Sequence, residues 1–347
     1  MAPRKVRNFR FIAMRHITSS AHLQTWLTTS LKRIVSKGFI CSLQLHIFTF
    51  LMTSWPWMKG ICDAISDPIS HVNEYDKRPS VKRLLEDNLE KIDELKSALT
   101  LDPLYSPLKH DDLWILRFLL SNPRDKDAAL LAAKKTLLFR HDRKLDETDI
   151  RFNPAGKSCH HKATQLYHTC CTNDAIQFVL PDPKRGVIGF VRLAGVDQHT
   201  LVKTLDKSVW IDSFTYISEW SFQWNDYITR TTGLLTKSIR LIDMGGFTLS
   251  GISMESLTRD GKAMEVMEDC YPQLLQGVFV CRSPVWIQIP WRICRTLLPK
   301  RVVSKMDFID PENNENERNR LFQHISVEHL PFCYGGKYMP WPLDFKL

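Results

Sequence analysis

SIRLIDMGG, Ser238 to Gly246, is a short apolar run closed by two glycines. A segment of that length with a glycine turn behind it reads as a buried strand entering a tight turn. Working outward, GVIGFVRL from Gly186 to Leu193 follows the turn-forming PDPKRG, and VFVC from Val278 to Cys281 precedes Pro284. Both suit buried strands, and a further strand is expected over Lys305 to Ile309, before the polar DPENNENERNR and a final short helix. Helical stretches separate them, one around Val209 to Thr232 with Trp210, Phe214, Ile217, Trp220 and Trp224, the other around Ser253 to Tyr271. Strands spaced by long helices predict an α/β fold with a mostly parallel or mixed sheet under helical cover.

Upstream, Val81, Leu84, Leu85, Leu89, Ile92, Leu95 and Leu99 recur at three- and four-residue steps between charged residues, the pattern of an amphipathic helix. Pro103 and Pro107 break it. Asp111 or Asp112 can then cap a second helix through Leu113, Ile115, Leu116, Phe118 and Leu119, which Pro123 stops. A third helix is expected from Asp127 to about Arg140, giving a small three-helix bundle.

The whole chain has 347 residues and a formal charge of +9. Its 44% hydrophobic and 24% charged content excludes wholesale disorder. Residues 1–62 hold nine of the 47 Lys and Arg and none of the 38 Asp and Glu, so the remainder carries 38 of each sign. The excess charge belongs to an arm, and a nucleic-acid-binding body is not supported. Residues 1–38 have the acid-free, Arg- and Ser-containing composition of a transit peptide. Residues 39–55, FICSLQLHIFTFLMTSW, are uncharged and about one bilayer core in length, which makes them an anchor, a cleaved segment or a packed helix. Nine scattered cysteines, an odd number, favour a reduced compartment. Cys159, His160, His161, His168, Cys170 and Cys171 lack the spaced pairs of a structural zinc site and are read as part of a polar surface connection, with no metal expected.

Enzyme motifs fail on inspection. PAGKS at Pro154–Ser158 would need glycine where Arg151 stands to form a phosphate loop, and GISME at Gly251–Glu255 lacks the second glycine of a nucleophile elbow. No catalytic residue is nominated. Asp243 ends a strand without an evident partner base, and is read with Gly246 as a structural turn in which its carboxylate accepts from backbone amides.

Val285, Trp286, Ile287, Ile289, Trp291, Ile293, Leu297 and Leu298 place large apolar groups on most sides of one short helix, framed by Arg282, Arg292, Arg295, Lys300 and Arg301. Such a helix is either a core element or a mobile one that covers an internal cavity on one side and meets a bilayer on the other.

Taken together these motifs resemble the CRAL-TRIO lipid-binding family, over about residues 80–337. DDLWILRFL at Asp111–Leu119 is similar to its D-x-x-LLRFL signature, with Arg117 on the arginine, and Phe139-Arg140 stands where WR is common. Ile242, Asp243 and Gly246 match I-D-x-x-G, Tyr271-Pro272 matches YP, Pro284 ends the NAP position, and HLPFCYGG at His329–Gly336 matches LPxxYGG. The resemblance implies a three-layer α/β fold holding one apolar molecule beneath a gate helix, here Val285, Trp286, Ile289, Ile293, Leu297 and Leu298. It implies domains at 78–141 and 160–337 after the 1–62 arm, with a 338–347 tail. The pocket lining is expected from Phe190, Trp210, Phe214, Ile217, Trp220, Ile242 and Phe279. Arg240, Lys262 and Arg282 are the headgroup candidates. Inositide-binding members carry an acid and a lysine where this chain has Lys262 and Gly277, so an inositol head is disfavoured. Two acyl chains of about 30 methylenes are worth roughly 24 kcal/mol of transfer from water, so carriage demands a shielded route rather than covalent chemistry. The expected function is therefore intracellular, non-enzymatic binding and transfer of a phospholipid or other apolar lipid by a monomer that touches membranes transiently, on the cytoplasmic face of membranes or in an organelle. The alternative is a lipid-sensing or membrane-anchored interaction module. A bound lipid of unknown class is the implied ligand, with no other cofactor and no nucleic acid.

Overall fold

The computed structural model describes residues 77–151, 161–172, 175–182 and 186–337. The readings placed on the 1–62 arm, on Pro154–Ser158, on Cys159 and His160 and on the 338–347 tail lie outside them.

The helical region begins with α1 (Val81–Asp87) and α2 (Leu89–Leu99). The single helix expected there is divided at Asn88, whose backbone leaves the helical region at φ −123° and whose Nδ2 donates back to the Leu84 carbonyl at 2.8 Å. This local side-chain bond competes with the helical ladder. Asp111 caps α3 (Asp112–Ser121) by accepting from Trp114 N at 3.0 Å, and Asp125 caps α4 (Lys126–Asp142) in the same way. α3 is buried on nearly every side, through Leu113, Trp114, Ile115, Leu116, Phe118 and Leu119, because α1, α2 and α4 surround it.

Five strands form the sheet in sequence order: β1 (Ile176–Asp182), β2 (Gly186–Arg192), β3 (Ser238–Asp243), β4 (Leu275–Cys281) and β5 (Met306–Ile309). β2 to β5 run parallel and β1 pairs antiparallel at the edge. The edge position explains why a strand containing Pro181 is tolerated and why its sequence read as the approach to a turn. Before β1, α5 (His161–His168) corrects the expectation of a plain polar connection: Tyr167 packs edge-on against Trp210 and Phe214, at 5.6 and 6.2 Å between rings. The segment ENERNR is also helical, within α11 (Glu315–His324), which follows the short α10 (Lys300–Val303).

Strand register sorts the side chains into two faces. Ile188, Phe190, Ile239, Leu241, Phe279, Cys281 and Ile309 share one face, sealed by Leu321, Ile325, Leu330 and Tyr334. The LPxxYGG-like ending thus closes that layer. Gly189, Val191, Arg240, Ile242, Val278, Val280, Met306 and Phe308 share the other. Near the strand starts this second face lies under α7 (Lys207–Thr232), where Asn225 accepts from Val187 N and donates to Ser238 Oγ. Near the strand ends it lies under residues 285–297. α6 (Gln198–Thr204) and α8 (Met254–Cys270) pack outside α7, which completes three layers.

Two buried arginines join the helical region to α7. Arg117 donates to Asp226 at 2.9 Å, and Arg140 forks onto Glu219 at 3.0 and 3.1 Å while its Nε reaches Asp146 at 2.7 Å. Burial works to raise the Asp146 carboxyl, but His110 and the Arg140 guanidinium beside it outweigh that and hold it down at about 2. Tyr271 fills the seam between Phe139 and Phe222. Among the described residues no helix is long and apolar enough to cross a membrane.

Candidate functional site

The second sheet face and its helical cover form the candidate site, and residues 285–298, the segment expected as a gate, lie as a lid over the strand ends. Pro284 turns the chain out of β4, Val285–Ile287 form one 3₁₀ turn, and α9 (Gln288–Leu297) follows. Pro290 falls in the first turn of α9, where its missing N–H costs nothing. Trp286 and Ile287 face inward to Met244, Phe247, Val278 and Val280, and Trp291 meets the Phe308 ring at 5.0 Å. Val285, Ile289 and Ile293 lie four residues apart on the outer side, 91%, 74% and 55% exposed, whereas Cys294 is buried. Leu297 and Leu298 are half-buried where the helix ends on α8. Gly261 makes that junction: a Cβ there would stand 2.0 Å from the Leu297 carbonyl oxygen.

A cleft of about 310 Å³ opens beside the lid, lined by Leu249, Ile252, Met254, Ile289, Pro290, Ile293 and Cys294. Leu249, Ile252 and Met254 were not expected there. Ile252 and Met254 belong to GISME, the stretch read against a nucleophile elbow, and Leu249 stands two residues before it.

The seven expected lining residues divide by register and helical face. Ile242 lies on the sheet floor under the lid, packed with Phe247 and Phe308. Ile217 is half-buried on α7, one turn before Ser221, and Trp220 is half-buried beside it. Phe190 and Phe279 point the other way, into the core sealed by α11, because strand alternation separates them from Val191 and Val280. Trp210 and Phe214 belong to the helix-to-helix core, where the Trp210 indole donates to Asp260 at 3.0 Å.

The headgroup candidates separate just as clearly. Lys262 is exposed and pairs with Glu265 along the outside of α8. Arg282 takes a left-handed backbone, φ 52°, and lays its guanidinium over Gly245, where a Cβ would be 2.4 Å from Cζ. Its Nε donates to Asp243 Oδ1 at 2.9 Å, and Nη2 contacts Oδ2. Asp243, fully buried, also accepts from Gly245 N at 2.7 Å. The turn aspartate therefore has a cationic partner that the sequence did not reveal, and Arg282 braces that turn. Gly246 follows at φ 74°, a conformation that favours glycine.

Arg240 differs from both. It stands on the floor in register with Gly189 and Val278, and its Nη2 donates to Ser221 Oγ at 3.2 Å. Burial pushes its pKa down to about 10. The register carries its side chain under α7.

A second, polar cavity of about 480 Å³ follows the seam between the helical region and α7, lined by Arg140, Asp146, Glu219, Asp226 and Arg230 among others. Arginines and carboxylates face one another there, as in the Arg140–Glu219 and Arg230–Asp226 pairs. No group of three His, Cys, Asp or Glu suited to a metal ion occurs among the described residues.

Residues 178–336 match the family model described as the CRAL/TRIO domain. The match falls on the family that its motifs resemble. The phosphatidylinositol/phosphatidylcholine transfer protein SFH7 of Arabidopsis thaliana is 21% identical over 250 residues, 71% of this chain and 43% of that protein. Patellin-5 of the same plant is 28% identical over 118 residues, covering 29% of this chain and 17% of that protein. Protein real-time of Drosophila pseudoobscura pseudoobscura is 34% identical over 93 residues, 25% of this chain and 14% of that protein. The chain thus spans less than half the length of each of these relatives. The crystal structure of Sfh5 aligns with a TM-score of 0.43 at 13% identity, covering 74% of this chain and 85% of that one.

Proposed function

We propose that this protein holds a lipid between the Arg240–Ile242 face of its sheet and the helical cover, and exchanges it with a membrane by displacement of residues 285–298. One observation carries the reading. The lid is apolar on both sides, with Trp286, Ile287 and Trp291 turned to the interior and Val285, Ile289 and Ile293 turned to solvent. An ordinary surface helix would leave its outer side polar. Leu249 and Met254, both exposed, extend that outer surface across the cleft. Arg292, Arg295, Lys300 and Arg301 are exposed around it, and each basic residue near an anionic leaflet contributes about 1 kcal/mol.

The carrier needs no covalent step. A membrane already buries the acyl chains, so a pocket of similar polarity makes transfer nearly even in free energy and leaves the barrier in the lid. The outer face then lowers that barrier by supplying apolar contact as the lid moves into the interface. Fluorescent phosphatidylcholine exchange between vesicles tests the reading. Ile289→Glu and Ile293→Glu, both on the outer side, are expected to slow exchange at least tenfold on anionic vesicles while the purified protein keeps its melting temperature. Exchange at the wild-type rate in both would refute it.

A further inference from the structure

The polar cavity of about 480 Å³ at the seam shares no lining residue with the cleft beside the lid, and it plays no part in the lipid exchange proposed above. His110, 4% exposed, lies in its wall, and its Nε2 lacks a hydrogen-bond partner. We infer that this cavity binds a small neutral molecule rich in hydroxyl groups, of the sugar or cyclitol class, with one hydroxyl bridging His110 and Asp146. The site is separate from the lid, and its test involves no lipid.

The tautomer of His110 is set by its surroundings. Nδ1 accepts from Ser106 N at 3.0 Å, so the neutral ring carries its proton on Nε2. Tyr105 and Trp114 hold the ring in place, at 5.7 and 4.7 Å between centroids. Nε2 is therefore a donor, but Asp146 Oδ2 stands 3.9 Å away, beyond hydrogen-bond reach, while Oδ1 takes Arg140 Nε at 2.7 Å. That gap admits one oxygen atom at about 2.8 Å from both groups. A hydroxyl fills it by accepting from Nε2 and donating to Oδ2. A phosphate or carboxylate oxygen has no proton to give Asp146, and an ammonium group has no lone pair to receive from His110. Charge around the cavity points the same way. Arg140, Arg151 and Arg230 are each paired with a carboxylate, and the exposed Lys109 and Glu147 add one charge of each sign. An ion gains little there. The volume lies in the range of small-molecule sites, and Trp114, Phe222 and Tyr227 give the wall apolar faces for the C–H groups of a polyol ring.

The test is a saturation-transfer NMR titration of the full chain with millimolar glucose, galactose and myo-inositol as neutral probes, and glucosamine and glucose 6-phosphate as charged ones. Wild type is expected to bind at least one neutral probe more tightly than either charged ring. His110→Asn keeps an acceptor for Ser106 N but draws the donor back from the cavity, and should weaken that binding about fivefold, the share of one neutral hydrogen bond. His110→Gln, whose amide nitrogen reaches the place of Nε2, should recover part of it. Tyr227→Leu, on a half-buried ring of the wall, should show a similar loss and serves if His110→Asn does not fold. Transfer to none of the neutral probes would overturn the inference and leave an ordered water as the bridge between His110 and Asp146. Tighter binding of a charged ring would overturn it too, as would unchanged affinity in His110→Asn, or in Tyr227→Leu if that is the variant measured.

Discussion

Asp260→Asn turns one buried acid into a measurable pH dependence. Asp260 lies on the inward stripe of α8 with Ser256, Ala263, Met267 and Cys270, and its Oδ1 accepts from the buried Trp210 indole. Tyr167 and Trp210 pack beside it, and burial pushes its pKa from 3.8 to about 7 despite the indole bond. That displacement corresponds to about 4 kcal/mol between the protonation states. Because Asp260 keeps some contact with solvent, about 2 kcal/mol is the working figure. The sign follows from proton uptake. Between pH 3.8 and about 7 the folded protein holds a proton that the unfolded chain has lost, so stability falls as pH rises through that window and levels off above it. Asparagine keeps the acceptor for Trp210 and cannot ionise. Urea denaturation of both proteins from pH 4 to 8, with their difference taken, cancels every group they share. Asp260→Asn should match wild type at the acid end and exceed it by about 2 kcal/mol at pH 8, or roughly 4 to 8 °C in Tm. A difference that does not change with pH would refute the assignment of a buried, proton-holding carboxyl.

Two further outcomes follow from the packing. Gly261→Val should force the Leu297 carbonyl away from α8, cost about 1 to 3 kcal/mol by overpacking, and speed lipid loss from the loaded protein, as followed by fluorescence. Glu219→Gln leaves the buried Arg140 with Asp146 alone; a loss of about 3 kcal/mol in urea denaturation is expected, together with faster proteolysis near residues 143–151.

Much of this architecture was legible because it rests on local signals. The apolar runs at Gly186, Ser238 and Val278 became parallel strands within a residue or three of their expected ends, and Asp111 capped its helix as its position before an apolar repeat requires. What stayed hidden depends on long-range pairing. Nothing near Asp243 in the chain announces Arg282, 39 residues away, and Gly245 explains itself only once the guanidinium crosses it. Facing was hidden for a related reason. Phe190 and Val191 are equally apolar, so composition could not say which points toward the lid, and that parity was fixed only by strand register. For the same cause the placing of Arg240 was hidden: a cation in an apolar strand is informative only when its face is known. The wall made by Leu249, Ile252 and Met254 spans a single 3₁₀ turn and the start of α8, too short a stretch to show a period.

Native mass spectrometry of the full-length protein, purified from cells without detergent, bears most directly on carriage. The account predicts one non-covalent adduct of lipid mass per chain, released on activation. A bare chain mass under gentle conditions, from protein that also takes up no lipid from vesicles, would contradict it.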